Sequence, residues 1–481
     1  MSARCSPRAV PAGDNGRVTR IAILGGGPAG YEAALVGAQL GAQVAIIERD
    51  GLGGACVLAD CVPSKTLIAT SESITTFARS EDLGVRLRSG AHAAQQVAVD
   101  LPAVNKRVKE LALAQSYDIV HRVEREGVQV LRGSGRMVGP NRLVVSTTDG
   151  EEGMGADLVL IATGASPRVL AGAEPDGERI LDWQQLYDLP VLPEHLVVVG
   201  SGVTGAEFAS AYLALGCAVT LVSSRDRVMP SEDADAALLI EDVFTRRGMQ
   251  IVKRSRAAGV RRVDEGVEVE LTDGRRIAGS HALVAVGSVP NTTGLGLEHV
   301  GVATDDRGYV RVDRVSRTTC QGVYAAGDCT GVLPLASVAA MQGRTAMWHA
   351  LGDAVAPLRL GRVAANVFTD PEIATVGIGQ AAVEGHESDV HQVKLPLATN
   401  ARAKMAGITD GFVKLYCRAG TGTVLGGVVV APSASELILP VSLAVQHNLS
   451  VDQLASTFTI YPSLSGSIAE AARLLHLAVQ D

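Results

Sequence analysis

Arg20-Ile21-Ala22-Ile23-Leu24-Gly25-Gly26-Gly27-Pro28-Ala29-Gly30 decides the fold. The apolar run ends at Leu24, passes at once into a G-x-G-x-x-G turn, and continues as a helix-forming stretch from Tyr31 to Leu40. A strand, a glycine turn and a helix in that order make a dinucleotide cradle. Gly25, Gly27 and Gly30 permit the tight turn and let backbone approach a pyrophosphate, which sits at the helix N-terminus beyond Pro28 and Ala29. A second apolar run, Val44 to Ile47, ends in Glu48, an acid placed to hold a ribose hydroxyl. A Gly-rich turn alone often serves only helix–strand packing. Strand, helix and acid together favour the dinucleotide.

The pattern returns 175 residues later. Leu196 to Val199 leads into Gly200-Ser201-Gly202-Val203-Thr204-Gly205, then a helical run from Ala206 to Leu215 and a strand from Ala218 to Val222. Two copies imply two dinucleotides on one polypeptide.

The chain has 481 residues, too many for one ordinary core, so two to four domains are expected. With 47% hydrophobic and 20% charged residues it has a globular profile, and its 53 glycines suit helices packed closely on buried parallel strands. A net charge of −8 excludes a general nucleic-acid binder. No apolar stretch is long enough to span a bilayer. Residues 1–18 are polar and read as a disordered extension rather than a secretory signal. Seven cysteines, an odd number spread over a long chain, argue against a disulfide framework and for a cytoplasmic protein with one chemically special pair. Nothing in the pattern suggests a metal site.

That pair lies in Gly53-Gly54-Ala55-Cys56-Val57-Leu58-Ala59-Asp60-Cys61-Val62-Pro63-Ser64-Lys65. Beside a dinucleotide turn, this segment resembles the redox disulfide of the flavoprotein disulfide reductases, which include dihydrolipoamide dehydrogenase, glutathione reductase and mercuric reductase. Further landmarks carry the resemblance over nearly the whole chain. Leu160 to Gly164, with Thr163, is similar to the strand and turn closing the first half of an FAD domain. Val284 to Asn291, with Gly287, resembles the return from a nicotinamide domain. Val323 to Asp328, with Gly327, resembles the second FAD signature, where the Asp meets the ribityl chain. The stretch from Leu335 through Ser337 resembles a helix whose N-terminus faces the flavin pyrimidine, and Val367 to Ala374 the start of the family's dimerisation domain.

The resemblance implies an α/β fold with two Rossmann-like dinucleotide-binding domains, for FAD and NAD(P), plus an α+β C-terminal dimerisation domain. FAD would occupy 19–165 and 288–359, the nicotinamide 166–287, and the interface 360–481. A homodimer or a dimer of dimers follows. Residues 64–126 read as long helices and Gly127 to Leu131 as the strand that follows.

Roles follow from the same resemblance. Lys65 and Glu207 would pair beside flavin N5, although a first-turn acid also suits the helix dipole on its own account. Cys61 would lie against the flavin as the charge-transfer thiolate, and Cys56 would meet an outside disulfide. Gly54 and Ala55 would line the flavin. Asp60 stands where the family often has Gly, and its charge disfavours a thiolate. Cys5, Cys217, Cys320, Cys329 and Cys417 have no partner motif and read as passive. At the end of the second nicotinamide-domain strand, Ser223-Ser224-Arg225-Asp226-Arg227 replaces the acid of NAD-selective members. Hydroxyls and guanidinium groups suit a 2′-phosphate, which favours NADPH, while Asp226 keeps NADH open.

One departure bears on the reaction. Disulfide-reducing members carry a C-terminal His-Pro-Thr with a Glu three residues beyond the Thr, and the His protonates the departing thiolate. Here the segment is Tyr461-Pro462-Ser463-Leu464-Ser465-Gly466, so Tyr461 takes the His position and Gly466 that of the Glu. A phenol of pKa near ~10 is a poor shuttle at neutral pH. Mercuric reductases use a C-terminal cysteine pair, and this chain has no Cys after Cys417. The expected activity is therefore NAD(P)H reduction of a quinone or similar small acceptor through FAD. The alternatives are a dihydrolipoamide dehydrogenase or other disulfide reductase using Cys56 and Cys61, and a flavin-bearing redox sensor.

Overall fold

The structure, a computed structural model, describes residues 18–88, 96–384 and 388–480. The disordered extension expected over 1–18 and the reading of Cys5 fall on residues 1–17, outside the described residues. Contacts divide the chain into two compact units, one of Met1–Pro63, Lys109–Ser166 and Ser288–Leu358, the other of Ser64–Val108, Pro167–Gly287 and Arg359–Asp481.

In the first unit a parallel sheet runs Val323–Ala325, Leu158–Ile161, Arg20–Leu24, Gln43–Glu48, Gln129–Arg132. Alternation along the Arg20–Leu24 strand feeds two cores. Ile21 and Ile23 pack with Ala33, Leu35, Ile119 and Met347, whereas Ala22 and Leu24 pack with Met137, Leu143 and Val145. Both faces are covered, which is why these strands read as nearly unbroken apolar runs. The covering helices Pro28–Gln39 and Ala336–Ala350 meet closely enough that a Cβ on Gly343 would sit 2.1 Å from the Ala29 carbonyl oxygen. A three-stranded antiparallel sheet, Ser134–Gly139, Arg142–Thr147 and Gly150–Gly155, covers the other face.

The second unit repeats this plan. Its parallel sheet runs Gln250–Val252, Ala218–Val222, His195–Val199, His281–Val284, Ile180–Leu181, with the glycine-turn strand again central. Leu196 and Val198 pack with Phe208, Tyr212 and Phe244, and Val197 and Val199 with Val260, Val269 and Leu271. Those last three come from another antiparallel three-stranded sheet, Ala257–Val263, Gly266–Leu271 and Arg276–Gly279. The same unit holds an antiparallel five-stranded sheet, Ala364–Val367, Glu372–Gly377, Val424–Ala431, Phe412–Arg418 and Val390–Pro396. Helices Leu439–His447 and Gly466–Gln480 contribute Val441, Ala471 and Leu475 to its core. The α/β class with two Rossmann-like units and an α+β C-terminal part, read from the sequence, is the fold observed.

Local signals explain several boundaries. The first helix begins at Pro28 rather than Tyr31, because proline at the first helical position gives up an N–H that would lack a partner anyway. Ser450 and Gln453 form a reciprocal capping box, with Ser450 N–H donating to Gln453 Oε1 at 2.8 Å. Long helices Cys61–Arg79 and Leu101–Arg125 fill the expected helical region, and the strand that follows is Gln129–Arg132.

A buried ion cluster ties two parts of the second unit. Asp233 caps the helix Ala234–Arg246 by accepting the N–H groups of Asp235 and Ala236. Its carboxylate also takes Lys414 Nζ at 2.8 Å on each oxygen and the Tyr416 hydroxyl at 3.1 Å. Lys414, 3% exposed, reaches Asp235 as well.

Candidate functional site

The first glycine turn is built for close backbone approach. A Cβ on Gly25 (φ +103°) would lie 2.2 Å from the Ala162 carbonyl oxygen, and one on Gly30 would lie 1.9 Å from that of Gly25. A Cβ on Gly27 would meet nothing within 4 Å, so the space above the helix N-terminus is open. No side chain caps that helix, and its first N–H groups are left for a ligand. Glu48 accepts the Gly26 N–H at 2.6 Å and the Asp50 N–H at 2.7 Å, which fixes the acid beside the turn.

The second turn matches the first almost atom for atom. Gly200 (φ +113°) stands 2.2 Å from the Ala285 oxygen by the same measure, Gly205 1.9 Å from that of Gly200, and Gly202 faces open space. The residues preceding the two helices share their backbone angles, φ −66° and ψ −175° at Gly27 against φ −71° and ψ −173° at Gly202. Val203 is exposed and Thr204 half-buried at the start of the helix Val203–Ala214.

Other expected residues gather in the first unit. Thr163 donates its hydroxyl to the Asn291 carbonyl at 2.7 Å, and the Asn291 side chain donates back to Thr163 O at 3.0 Å, pinning the turn at Gly164 (φ +68°). Gly327 (φ +81°) donates its N–H to Gln342 Oε1 at 2.9 Å and positions Asp328. Ser337 is exposed in the first turn of the Ala336–Ala350 helix, whose N-terminus has no side-chain cap.

In the second unit Lys65 Nζ lies 2.8 Å from Glu207 Oε2. Glu207 Oε1 accepts the Phe368 N–H at 2.8 Å, and Lys65 also sits over the Phe368 ring at 4.7 Å. The part played by Phe368 left no trace in the sequence, because it depends on a backbone group brought in from a distant strand end. Gly287 (φ +96°) accepts the Arg168 N–H at 2.9 Å.

The loop after Val222 divides its expected residues. The Ser223 side chain points inward: fully buried, it receives the Ser201 hydroxyl at 2.7 Å and the Arg225 N–H at 3.1 Å, and its own hydroxyl faces the Arg225 and Arg227 carbonyls. It shapes the loop and offers no free hydroxyl to a ligand. Ser224 and Arg225 are exposed. Arg254, unremarked in the sequence, joins them through its N–H bond to the Arg225 carbonyl at 2.8 Å.

Cys56 belongs to the short helix Gly54–Leu58 and Cys61 opens the helix Cys61–Arg79. Between them the Ala59 and Asp60 N–H groups both donate to the Ala55 carbonyl, at 2.9 and 2.8 Å, closing a turn that brings the thiols together. Neither thiol is in a disulfide, and the two are joined by a hydrogen bond. The Cys56 thiol is held far above its ordinary value by that bond first, then by burial and by the negative charges of Cys61, Asp60 and Asp328. Burial and then the charge of Asp60 push Asp328 up to about 6. Burial also raises Cys217, Cys329 and Cys417, as inert packed thiols require.

At the C-terminal end Tyr461 is 86% exposed, with Phe458 and Ile460 beside it. Gly466 opens the last helix and donates its N–H to Ser463 Oγ at 3.1 Å, so no carboxylate stands at that position. Among the described residues no helix is long and apolar enough to cross a membrane, and no group of three or more His, Cys, Asp and Glu is arranged to hold a metal ion.

Two duplicate dinucleotide cradles, a cysteine pair and an antiparallel C-terminal sheet define a pyridine nucleotide oxidoreductase. Residues 19–343 match the pyridine nucleotide-disulphide oxidoreductase family and 363–472 its dimerisation domain, and the chain belongs to that family. It is 56% identical to the NAD(P)H dehydrogenase (quinone) of Mycobacterium tuberculosis over 95% of this chain and 94% of that one. It is 33% identical to the dihydrolipoyl dehydrogenase of Chlorobaculum tepidum, covering 94% and 96% respectively. Among solved structures, LpdA of Mycobacterium tuberculosis superposes with a TM-score of 0.90 at 56% identity, over 95% of this chain and all of that one. The HOCl-induced flavoprotein disulfide reductase RclA of Escherichia coli follows at 0.84 and 25% identity, again over 95% of this chain and 100% of that one.

Proposed function

We propose that this chain is an FAD-dependent NAD(P)H:quinone oxidoreductase. The observation that carries the reading is the Tyr461–Gly466 segment, an exposed phenol and a helix-opening glycine in a chain that otherwise keeps both cradles. The name of the 56% identical relative supports it.

The cradle of the first unit fits FAD: Gly27 and the uncapped helix N-terminus for the pyrophosphate, Glu48 for the ribose, Gly54, Ala55, Thr163, Gly164 and Asp328 along the flavin, and Ser337 near its pyrimidine edge. FAD would supply a two-electron carrier between NAD(P)H and the acceptor. Gly202, Val203, Thr204 and Gly205 would hold the nicotinamide pyrophosphate, and Ser224 and Arg225, assisted by Arg254, a 2′-phosphate. Glu207 orients Lys65 through a 2.8 Å contact, and the pair would serve hydride transfer to the flavin as the family resemblance implies. With no carboxylate at Gly466 to hold or activate it, Tyr461 would act as an amphipathic wall. FAD would occupy 19–165 and 288–359, the nicotinamide 166–287 and the interface 360–481, in a homodimer or a dimer of dimers, for which the matched dimerisation domain is the support. The cytoplasm, where thiols stay reduced, is the proposed location.

A second reading, dihydrolipoamide or other disulfide reduction, draws on the facing Cys56 and Cys61 and on relatives named dihydrolipoyl dehydrogenase. Steady-state assays of benzoquinone, naphthoquinone, lipoamide and glutathione disulfide with NADH and NADPH separate the two. Losing general acid–base help leaves thiol exchange lower by about 10²- to 10⁴-fold, so quinones turn over and lipoamide lags by at least that margin. Equal turnover of lipoamide and quinone would hand the case to the second reading.

A further inference from the structure

We propose that Phe368 is a positioning residue whose ring holds the Lys65 ammonium in one direction, so that the pair Lys65 forms with Glu207 serves hydride transfer in a single geometry. The inference deepens the quinone-reductase reading and rests on it for the consequence in catalysis, though not for the contact itself.

Lys65 and Glu207 stand on different helices, Cys61–Arg79 and Val203–Ala214. A lysine carries its charge at the end of a flexible stem, and one carboxylate oxygen at 2.8 Å fixes its distance better than its direction. The ring supplies a second point. Lys65 Nζ lies over it at 4.7 Å from the centroid, the shortest ring–cation contact among the described residues, the others standing at 5.3–5.7 Å. The negative face of an aromatic ring attracts an ammonium, more strongly where water is partly displaced. Phe368 thus touches both members of the pair, its ring on the cation and its backbone N–H on Glu207 Oε1 at 2.8 Å.

The ring is itself held in place. Phe368 follows the strand Ala364–Val367, and the residues just beyond it are tied to both helices. The Asp370 N–H donates to Ser210 Oγ at 3.3 Å, one turn along its helix from Glu207. The Asp370 carboxylate meets Arg79, the last residue of the Lys65 helix, at 3.4 Å, and Arg247 at 3.0 Å. Thr369 Oγ1 donates to the Pro371 carbonyl at 2.7 Å and closes the turn. Many apolar side chains would fill this half-buried place, and the backbone N–H would come with any of them. Phenylalanine, one of only six in the chain, adds a π face that leucine or valine lacks.

The variants separate the π face from bulk and from the backbone bond. Phe368→Leu keeps bulk and the N–H, whereas Phe368→Tyr and Phe368→Trp keep a ring. Lys65→Gln removes the cation and leaves a donor for Glu207. On the full-length, FAD-loaded protein, urea unfolding of Phe368→Leu, Lys65→Gln and the two together makes a double-mutant cycle. The ring–cation contact should appear as a coupling of about 3- to 30-fold in the unfolding constant, the range such contacts span. Additive losses would make Phe368 a packing residue only and overturn the inference. A second arm needs the Phe368 variants alone: stopped-flow absorbance follows flavin reduction by NADPH or NADH with no acceptor added. Phe368→Leu should slow the limiting rate by on the order of 10-fold, the effect of a loosened reacting geometry, and leave the nucleotide dissociation constant in place. Phe368→Tyr and Phe368→Trp should return the rate. A limiting rate unchanged in Phe368→Leu overturns the inference even where the cycle shows coupling, because the ring would then hold Lys65 to no effect on hydride transfer. If the flavin of the unaltered protein is reduced but benzoquinone is not, the proposed function falls while the role of Phe368 stands.

Discussion

Replacing Glu207 by Leu tests the charged pair at the heart of the second unit. Glu207 has a side chain only 5% exposed, with one oxygen on Lys65 and the other on the Phe368 N–H, each at 2.8 Å. Breaking a fully buried pair by removing one partner costs about 3–5 kcal/mol, because a charge is stranded. Lys65 keeps 31% of its side chain exposed, and water recovers part of that loss. An orphaned Phe368 N–H adds about 1–3 kcal/mol where it stays dry. The expected net cost for Glu207→Leu is therefore about 2–4 kcal/mol. Glu207→Gln retains an oxygen for Phe368 and loses only the charge, so about 1–2 kcal/mol is expected. Adding Lys65→Met to Glu207→Leu removes the stranded ammonium and should recover at least half the loss. Urea unfolding followed by far-ultraviolet circular dichroism measures this, with midpoints compared only between variants sharing the same slope. A Glu207→Leu cost below about 0.5 kcal/mol, or a double variant no more stable than the single one, would refute the account.

Arg225→Ala should weaken NADPH binding by about 1.5–3 kcal/mol and leave NADH nearly unchanged, read by fluorescence titration. Equal losses for both coenzymes would move the phosphate to Arg227 or Arg254. Gly30→Ala should abolish folding or cofactor retention, since its Cβ would stand 1.9 Å from a carbonyl oxygen, whereas Gly27→Ala should fold normally and hold less FAD. A folded, fully yellow Gly30→Ala protein would contradict the geometry. His281 is lowered from 6.5 to about 4, by burial first and then by Arg179, whose guanidinium lies 3.2 Å from Nε2. The unfolded chain thus binds an extra proton between those two values, so stability should be full above about pH 6.5 and fall as pH drops towards 4, by up to about 3 kcal/mol. His281→Gln should flatten that slope in urea melts at several pH values. An unchanged slope would mean that other groups set it.

Glycine turns were legible in the sequence because their requirement is local. Gly25 and Gly200 are needed by the backbone angles of their own turns, and strand and helix adjoin them in the chain. The Cys56–Cys61 turn was legible for the same reason. Ser223 misled because residue type and position suit a phosphate, while direction is set by Ser201 and by loop carbonyls, which no pattern along the strand encodes. Arg254 and Phe368 were missed because each reaches its place through a backbone bond to a residue remote in sequence. Asp60 was visible as an odd residue at its position, but Asp328 acting on the same thiol needed the fold to bring the two segments together.

The buried cluster of Asp233, Asp235, Lys414 and Tyr416 bears on how the gene can be cut and rejoined. Asp233 and Asp235 flank the start of the helix Ala234–Arg246 in the portion built on the second glycine turn, while Lys414 and Tyr416 come from the strand Phe412–Arg418 of the C-terminal sheet. A chimera taking its second glycine-turn portion from one parent and its C-terminal portion from another inherits half a cluster from each. If the new parent lacks the acids, Lys414 becomes a dry, uncompensated ammonium. Recombination libraries crossing over anywhere between 235 and 414 should therefore yield soluble protein chiefly when all four residues come from one parent or match in both.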